Sequence, residues 1–446
     1  MFNKAFLLFL IIPFFLFCQD SKTENALIGK FSPAKDYDFG ILYRLTPTGK
    51  VYAKDSKVGE NGEFKINLDS LPKGSYRLVY NLPEEVNYFD LIFNGKDEVS
   101  FTFSEESGVV FSDAQNKMLS EYLNKMTSVE NELNSELTAD KPNANETERL
   151  LRSQLGIQNK AEKESENSFA SLFIKANKPY IPNDFKNRNI YFGDKKSNFF
   201  KNFDFEDRQL QSSSFPIKII EKYYYEFIEV QGASFYRSII NDISFELRNC
   251  DSEFQKTLLA EFWQSLVNRN KNNAANYLAE NYLSDLASSL DDTALSEKLN
   301  LFKNLAIGAK APDFSWKDEN DNKNTFYTTD VADYYVLVFW SSECSHCMEQ
   351  MPVLNEKMTN LKSEKIKVIA IGLEMEDEPW KETITKLPSF IHVFKTDEDR
   401  ANITLKYNIT GTPTYYVLDK NKKIIGKPRG QKNLFGIIDS LEAYKK

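Results

Sequence analysis

The stretch Tyr335-Val336-Leu337-Val338-Phe339-Trp340, running through Ser341-Ser342-Glu343 into Cys344-Ser345-His346-Cys347, decides the reading of this chain. An unbroken run of large apolar residues is apolar on both faces when extended, as a strand inside a sheet covered on both sides must be. After the polar break, Cys347 to Leu361 read as a helix with Met351, Leu354, Met358 and Leu361 on one face. Two cysteines spaced by two residues therefore stand where a buried strand gives way to a helix start. The free N–H groups and dipole of a helix start favour negative charge, so the thiolate of the first cysteine is stabilised there. The spacer puts the second sulfur within reach to close a disulfide. Cys344 is the candidate nucleophile and Cys347 the candidate resolving thiol.

Outward from this point the pattern is mixed α/β. Ile366 to Ile371 is a second buried strand, Glu378 to Leu387 a helix, Phe390 to Phe394 a strand and Asp399 to Tyr407 a helix. Thr414 to Leu418 and Lys423 to Gly426 make a hairpin across Asp419-Lys420-Asn421-Lys422, and Lys432 to Tyr444 closes as a helix. Strands alternating with helices give a sheet covered on both faces, opened by Ala311-Pro312-Asp313-Phe314 and spanning 307–446.

Upstream, residues 27–113 read as short strands: Ile41 to Tyr43, Phe64 to Ile66, Tyr76 to Tyr80, Tyr88 to Phe93 and Val99 to Phe103. Asn61-Gly62, Lys73-Gly74 and Asn94-Gly95 supply turn chemistry between them. A small antiparallel β-sandwich is expected. Residues 114–305 change to helical spacing, with Tyr122, Met126, Val129, Leu133 and Leu137 in one stripe and similar runs at Glu253 to Val267 and Ala275 to Leu290. The Tyr223-Tyr224-Tyr225 cluster reads as core or interface, and the isolated Cys250 as an inert small residue.

The first residues read as an export signal, 1–18. Lys4 precedes an apolar run from Ala5 to Phe17, too short to cross a bilayer, which takes about 20 apolar residues. The run stops at Cys18, before the polar Gln19-Asp20-Ser21-Lys22. A cysteine at that junction resembles a bacterial lipoprotein signal, which implies lipid attachment at Cys18, although Phe17 stands where such signals carry a small residue. Outside the cytoplasm disulfides persist and enzymes manage them.

The bulk numbers fit. A chain of 446 residues is too long for one compact domain, and 35 Phe and 22 Tyr give ample core material. The net charge of −9 argues against general nucleic-acid affinity, and no glycine-rich phosphate loop follows a strand. The chain has four cysteines and two histidines, His346 and His392, and no second Cys/His cluster, so no metal site is expected. No cofactor is called for, since a dithiol carries its own electrons.

Residues from about Ile307 to Lys446 resemble the thioredoxin superfamily, in particular the TlpA/ResA-like thiol–disulfide oxidoreductases of the bacterial envelope. The resemblance rests on Ala311-Pro312-Asp313-Phe314, on Val338-Phe339-Trp340 leading into the cysteine pair, on Pro352 in the following helix, and on Gly411-Thr412-Pro413-Thr414. That last segment looks like the family's cis-proline loop, in which Pro413 lies against the disulfide and the Thr412 backbone pairs with an extended substrate. Residues 27–113, with a Gly-Glu-Phe turn and a later Gly-Ser-Tyr-Arg-Leu, resemble the β-domain that often precedes such domains in Bacteroidetes-type lipoproteins. In similar enzymes a histidine at the place of His346 tunes the thiolate toward a more oxidising pair. Glu343 replaces the family's tryptophan, and Leu337 and Val338 are apolar near where a buried acid or amide often sits. The proton acceptor for Cys347 stays open among Glu343, Glu374 and water, and so does the direction of electron flow. A thiol peroxidase is disfavoured because Val338 to Glu343 lacks the proline of that signature.

These readings give one enzyme hypothesis: thiol–disulfide exchange on exported proteins that carry disulfides, served by a membrane or periplasmic electron donor or acceptor, in a lipid-anchored protein of the cell envelope. The competing class is an envelope lipoprotein that acts as a binding scaffold, its β and helical regions holding a partner or glycan and its C-terminal domain only maintaining redox state.

Overall fold

The computed structural model describes residues 25–318, 322–374, 378–394 and 400–443. The signal and Cys18 lie outside them. The chain divides into two compact units, meeting in sequence between Cys250 and Asp251.

The first unit opens with eight strands: β1 (Ala26–Ser32), β2 (Phe39–Leu45), β3 (Lys50–Lys57), β4 (Glu63–Asn67), β5 (Gly74–Val79), β6 (Tyr88–Phe93), β7 (Val99–Ser104) and β8 (Gly108–Phe111). They form two four-stranded sheets, ordered β4-β1-β7-β8 and β3-β2-β5-β6. Alternation places Phe64 and Ile66, Phe101 and Phe103 inward between polar neighbours, and a Phe/Tyr-rich core results. The sandwich departs from the antiparallel expectation at one pair: β1 and β7 run parallel, Leu27 opposite Val99. A parallel pair needs a long crossover, and here the entire second sheet lies between the two strands in sequence. Gly62 and Gly95 take φ of 82° and 88°, as the turn reading requires, whereas Gly74 opens β5.

Helices follow. Ala114–Thr138 buries Tyr122, Met126, Leu133 and Leu137, four of the five stripe residues. Its N-cap is Asp113, whose carboxylate accepts from the Asn116 N–H at 2.9 Å. Asn116 is itself buried and covers the edge strand β6, accepting from the Ile92 N–H at 2.7 Å and donating to the Ile92 C=O at 2.8 Å. An edge strand with unpaired N–H and C=O groups would otherwise be left bare in the interior. Tyr223 and Tyr224 are core residues, and the Tyr223 hydroxyl donates to Asp242 at 2.8 Å. Cys250 is buried, its Sγ 3.5 Å from the Phe205 carbonyl.

The second unit begins with helices Ser252–Asn268 and Thr293–Asn304, with a helical segment between them interrupted by a π turn at Ala279–Leu283. Seven strands complete it: β9 (Ser315–Lys317), β10 (Lys323–Thr325), β11 (Tyr334–Trp340), β12 (Ile366–Gly372), β13 (Ile391–Val393), β14 (Thr414–Asp419) and β15 (Ile424–Gly426). The main sheet is ordered β13-β12-β11-β14-β15, with β11 parallel to β12 and antiparallel to β14. Strand β11 is buried on both faces. Leu337 and Phe339 pack with Ile369, Ile371, Tyr407 and Tyr416 on one side. Val336, Val338 and Trp340 pack with Cys347, Met351, Leu354 and Leu434 on the other. Leu301 and Leu305, at the end of the preceding helices, join the first of these cores. Among the described residues no helix is long and apolar enough to cross a membrane.

Because Leu337 is fully buried at the centre of β11, Leu337→Ala should lower unfolding free energy by about 2–5 kcal/mol. A denaturant titration that follows the second unit's transition checks this, and a loss below about 1 kcal/mol would show that the strand is not the core of that unit.

Candidate active site

The site stands at the C-terminal end of β11. The helix Ser345–Thr359 starts there and Cys344 is its N-cap, with extended backbone. The Cys347 N–H points at the Cys344 sulfur at 3.4 Å. Apolar spacing starts this helix at Cys347; the structure starts it two residues earlier, which turns Cys344 from a flanking residue into the cap. The Met348 N–H donates to the Cys344 carbonyl at 3.0 Å, and the Cys344 N–H to the Ser341 carbonyl at 3.2 Å. Pro352 lies inside the helix, past the first turn.

The two sulfurs occupy different surroundings. Cys344 is part-exposed and Cys347 fully buried; both are free thiols. Burial alone would raise the Cys344 pKa. Hydrogen bonds with the side chains of Thr412 and Cys347, and the backbone N–H groups of Cys347 and His346, outweigh it and bring the thiol below its ordinary value. Burial pushes the Cys347 thiol up to about 12, and the neighbouring Cys344 sulfur adds to the rise. This asymmetry favours a thiolate at the outer sulfur and a thiol at the inner one.

The third part is the loop before β14. Thr412–Pro413 is cis, and the Cys344 Sγ donates to the Thr412 carbonyl at 3.4 Å. Cys344, Cys347, Thr412 and Pro413, widely separated in sequence, thus meet at one place. His346 is exposed, with its Nδ1 3.8 Å from Glu349; what reaches Cys344 from this residue is its backbone N–H.

Of the candidate proton acceptors, Glu343 is exposed on the loop. Glu374 is buried just beyond β12, where Oε1 accepts from the Ser342 N–H and Oε2 has no partner among the described residues. Its carboxyl is raised above the usual range, first by burial, against the pull of the Ser342 hydrogen bond. Through that hydrogen bond Glu374 anchors the loop that carries Cys344. Gly372 allows this, since a Cβ there would lie 2.6 Å from Trp380 Nε1 and 2.7 Å from Glu374 Oε2.

Two further residues escaped the sequence reading. The Tyr415 hydroxyl donates to Gln350 at 3.1 Å, and the Gln350 carbonyl accepts from Gln431 at 2.7 Å. Tyr415 is buried in the same core as Cys347, and that sulfur reinforces the rise that burial causes in the tyrosine pKa. Helical spacing is the signal that could have found Gln350, three residues past Cys347 and so on its face; nothing local marks Tyr415. Among the described residues no three His, Cys, Asp or Glu side chains gather in position to hold a metal.

Residues 332–424 match the family model described as thioredoxin-like. The C-terminal domain is a thioredoxin-like domain related to the ResA/TlpA thiol–disulfide oxidoreductases. Among curated proteins, the thioredoxin-like protein YneN of Bacillus subtilis is 29% identical over 25% of this chain and 65% of its own length. The thiol–disulfide oxidoreductase ResA of Geobacillus kaustophilus is 29% identical over 27% of this chain and 67% of its own. The chain thus spans about two thirds of the length of these relatives. Among solved structures, the thioredoxin domain of a thiol–disulfide oxidoreductase from Bacteroides vulgatus is 23% identical, covering 31% of this chain and 98% of that one, with a TM-score of 0.28. A thioredoxin-like protein from Bacteroides caccae is 16% identical, covering 59% of this chain and 97% of that one, with a TM-score of 0.43.

Iodoacetamide should modify Cys344 quickly, and its rate profile should titrate below the ordinary thiol pKa, while Cys347 stays unreactive in the folded protein. Equal rates at the two cysteines, read by peptide mass mapping across pH, would contradict the asymmetry. Glu374→Ala should strand the Ser342 N–H at a cost of about 1–3 kcal/mol. Its other expected effect is a slower, less pH-selective alkylation of Cys344 as the loop loosens.

Proposed function

We propose that the protein exchanges disulfides with other exported proteins, with Cys344 as nucleophile and Cys347 as resolving thiol. The observation that carries this reading is the unequal pair: a part-exposed sulfur capping a helix start, where its pKa is lowered, and a buried one whose pKa burial raises. In the reducing direction the Cys344 thiolate attacks one sulfur of a substrate disulfide. A mixed disulfide forms, the substrate S–S bond breaks, and the leaving thiolate takes up a proton. Cys347 then gives up its proton and attacks the Cys344 sulfur. The internal disulfide closes, the second substrate thiolate leaves, and two electrons have passed to the substrate. The oxidising direction is the same sequence reversed.

Thr412 and Pro413 frame the approach to Cys344 in this reading, with an extended substrate segment lying along the loop. His346 contributes its backbone N–H to the Cys344 sulfur. Glu343 and Glu374 are left out of the proton transfer, and water reaching the part-exposed Cys344 side serves as acceptor for the Cys347 proton. The electron donor or acceptor is a membrane or periplasmic partner. We place the protein in the bacterial cell envelope, anchored by lipid at Cys18 after removal of the signal, with three folded regions at 27–113, 114–305 and 307–446.

Full-length Cys347→Ala should accumulate a mixed disulfide between Cys344 and its substrates, released by dithiothreitol, and Cys344→Ala should accumulate none. Non-reducing electrophoresis of envelope fractions separates the two. Equal trapping by both variants would overturn the assignment of roles.

A further inference from the structure

The first unit holds a feature that disulfide exchange does not use. A cavity of about 330 Å³ lies between the sheet β3-β2-β5-β6 and the helices of that unit. Its size falls in the range of small-molecule sites. The walls are mostly apolar, with Leu91, Ile92, Phe111, Leu119, Phe199 and Phe215 among them. Apolar walls reward an apolar occupant with both contacts and desolvation.

The charged groups of the lining are mostly of one sign. Lys178, Lys195, Lys218 and Lys222 face the cavity against a single acid, Asp90. That acid is already clamped by Arg77, with Nε at 2.7 Å and Nη2 at 3.0 Å. The carboxylates that pair with three of the lysines are Glu162, Glu226 and Glu130, and none of them lines the cavity. Lys218 is the loosely held one, half-exposed and 3.6 Å from Asp90. One more group points to a ligand. Ser75 on β5 is only 5% exposed, lines the cavity, and its hydroxyl has no hydrogen-bond partner among the described residues. A buried hydroxyl without a partner is costly to leave so, and an acceptor placed in the cavity would satisfy it.

We propose that this cavity binds a medium-chain monocarboxylate, its apolar chain against the leucine and phenylalanine walls and its carboxylate held by Lys218. A neutral apolar molecule would satisfy the walls and make no use of Lys218, whose partner Asp90 stands 3.6 Å away and is shared with Arg77. A small hydrophilic anion would do the reverse. An amphipathic anion does both, because charge-assisted hydrogen bonds to ammonium groups are the strong ones.

The test is calorimetric titration of the full-length protein with decanoate, and with decanol as the neutral probe of the same chain. Decanoate should bind saturably at one site per chain, and decanol about tenfold or more weakly by comparison. Lys218→Glu should weaken decanoate by about tenfold while leaving decanol unchanged. Ser120→Trp, which places an indole in the lining, should abolish binding of both. Thermal unfolding of each variant identifies any that fails to fold, and Lys218→Glu, at an exposed position, carries the test if Ser120→Trp does. Absence of saturable decanoate binding, or equal binding of decanoate and decanol, overturns the proposal. Cysteine alkylation is unaffected in either case, so failure here is distinct from failure of the redox reading.

Discussion

Everything at the site depends on one constraint, the burial of β11 on both faces. A strand clamped between two apolar layers cannot shift register without moving every side chain to the wrong side. Its C-terminal end is therefore a fixed point, and the helix that starts beyond it is a fixed dipole. Because Val338 and Trp340 share the layer that receives Cys347 and Met351, the first turn of the helix is pinned to the strand. The inner cysteine is forced into the core and the outer one is left at the cap. Chemical inequality between two identical side chains follows from position alone: desolvation penalises a charge at one sulfur, and N–H groups favour it at the other.

Contacts from distant parts of the chain complete the arrangement. The loop before β14 brings the Thr412 carbonyl to the Cys344 sulfur, because β14 pairs directly with β11. The segment after β12 brings Glu374 under the Ser342 N–H, because β12 pairs with the other edge of β11. The two neighbours of the central strand thus each deliver one support to the cysteine loop, and sheet order, with no local propensity, decides which residues these are.

This also explains what could be read beforehand. The central strand, the helix after it and the cysteine pair are local: apolar run, helical spacing and a two-residue spacer declare themselves. The β14–β15 hairpin was legible for the same reason, through turn residues between two short apolar runs. Glu374 was visible only as one of three candidate proton acceptors; that it holds Ser342 depends on β12 lying beside β11, which no local pattern states. Strand β3 went unread because its residues, Lys50 to Lys57, are half polar and solvent-facing, and its pairing with β2 is set by backbone hydrogen bonds. The parallel union of β1 with β7 spans most of the sandwich in sequence and leaves no signature within either strand. The cavity beneath β5 and β6 is likewise a product of packing, since Ser75 and Lys218 gain meaning only when sheet and helix meet.

The measurement that tests the central claim most directly is the redox equilibrium of the Cys344–Cys347 pair in the full-length protein, set by graded ratios of reduced and oxidised glutathione or dithiothreitol. The account predicts a single two-electron couple with an internal disulfide, between roughly −270 and −120 mV, the span from thioredoxin to DsbA. Thiols that stay reduced at every ratio, or that form only separate mixed disulfides with glutathione, would contradict it.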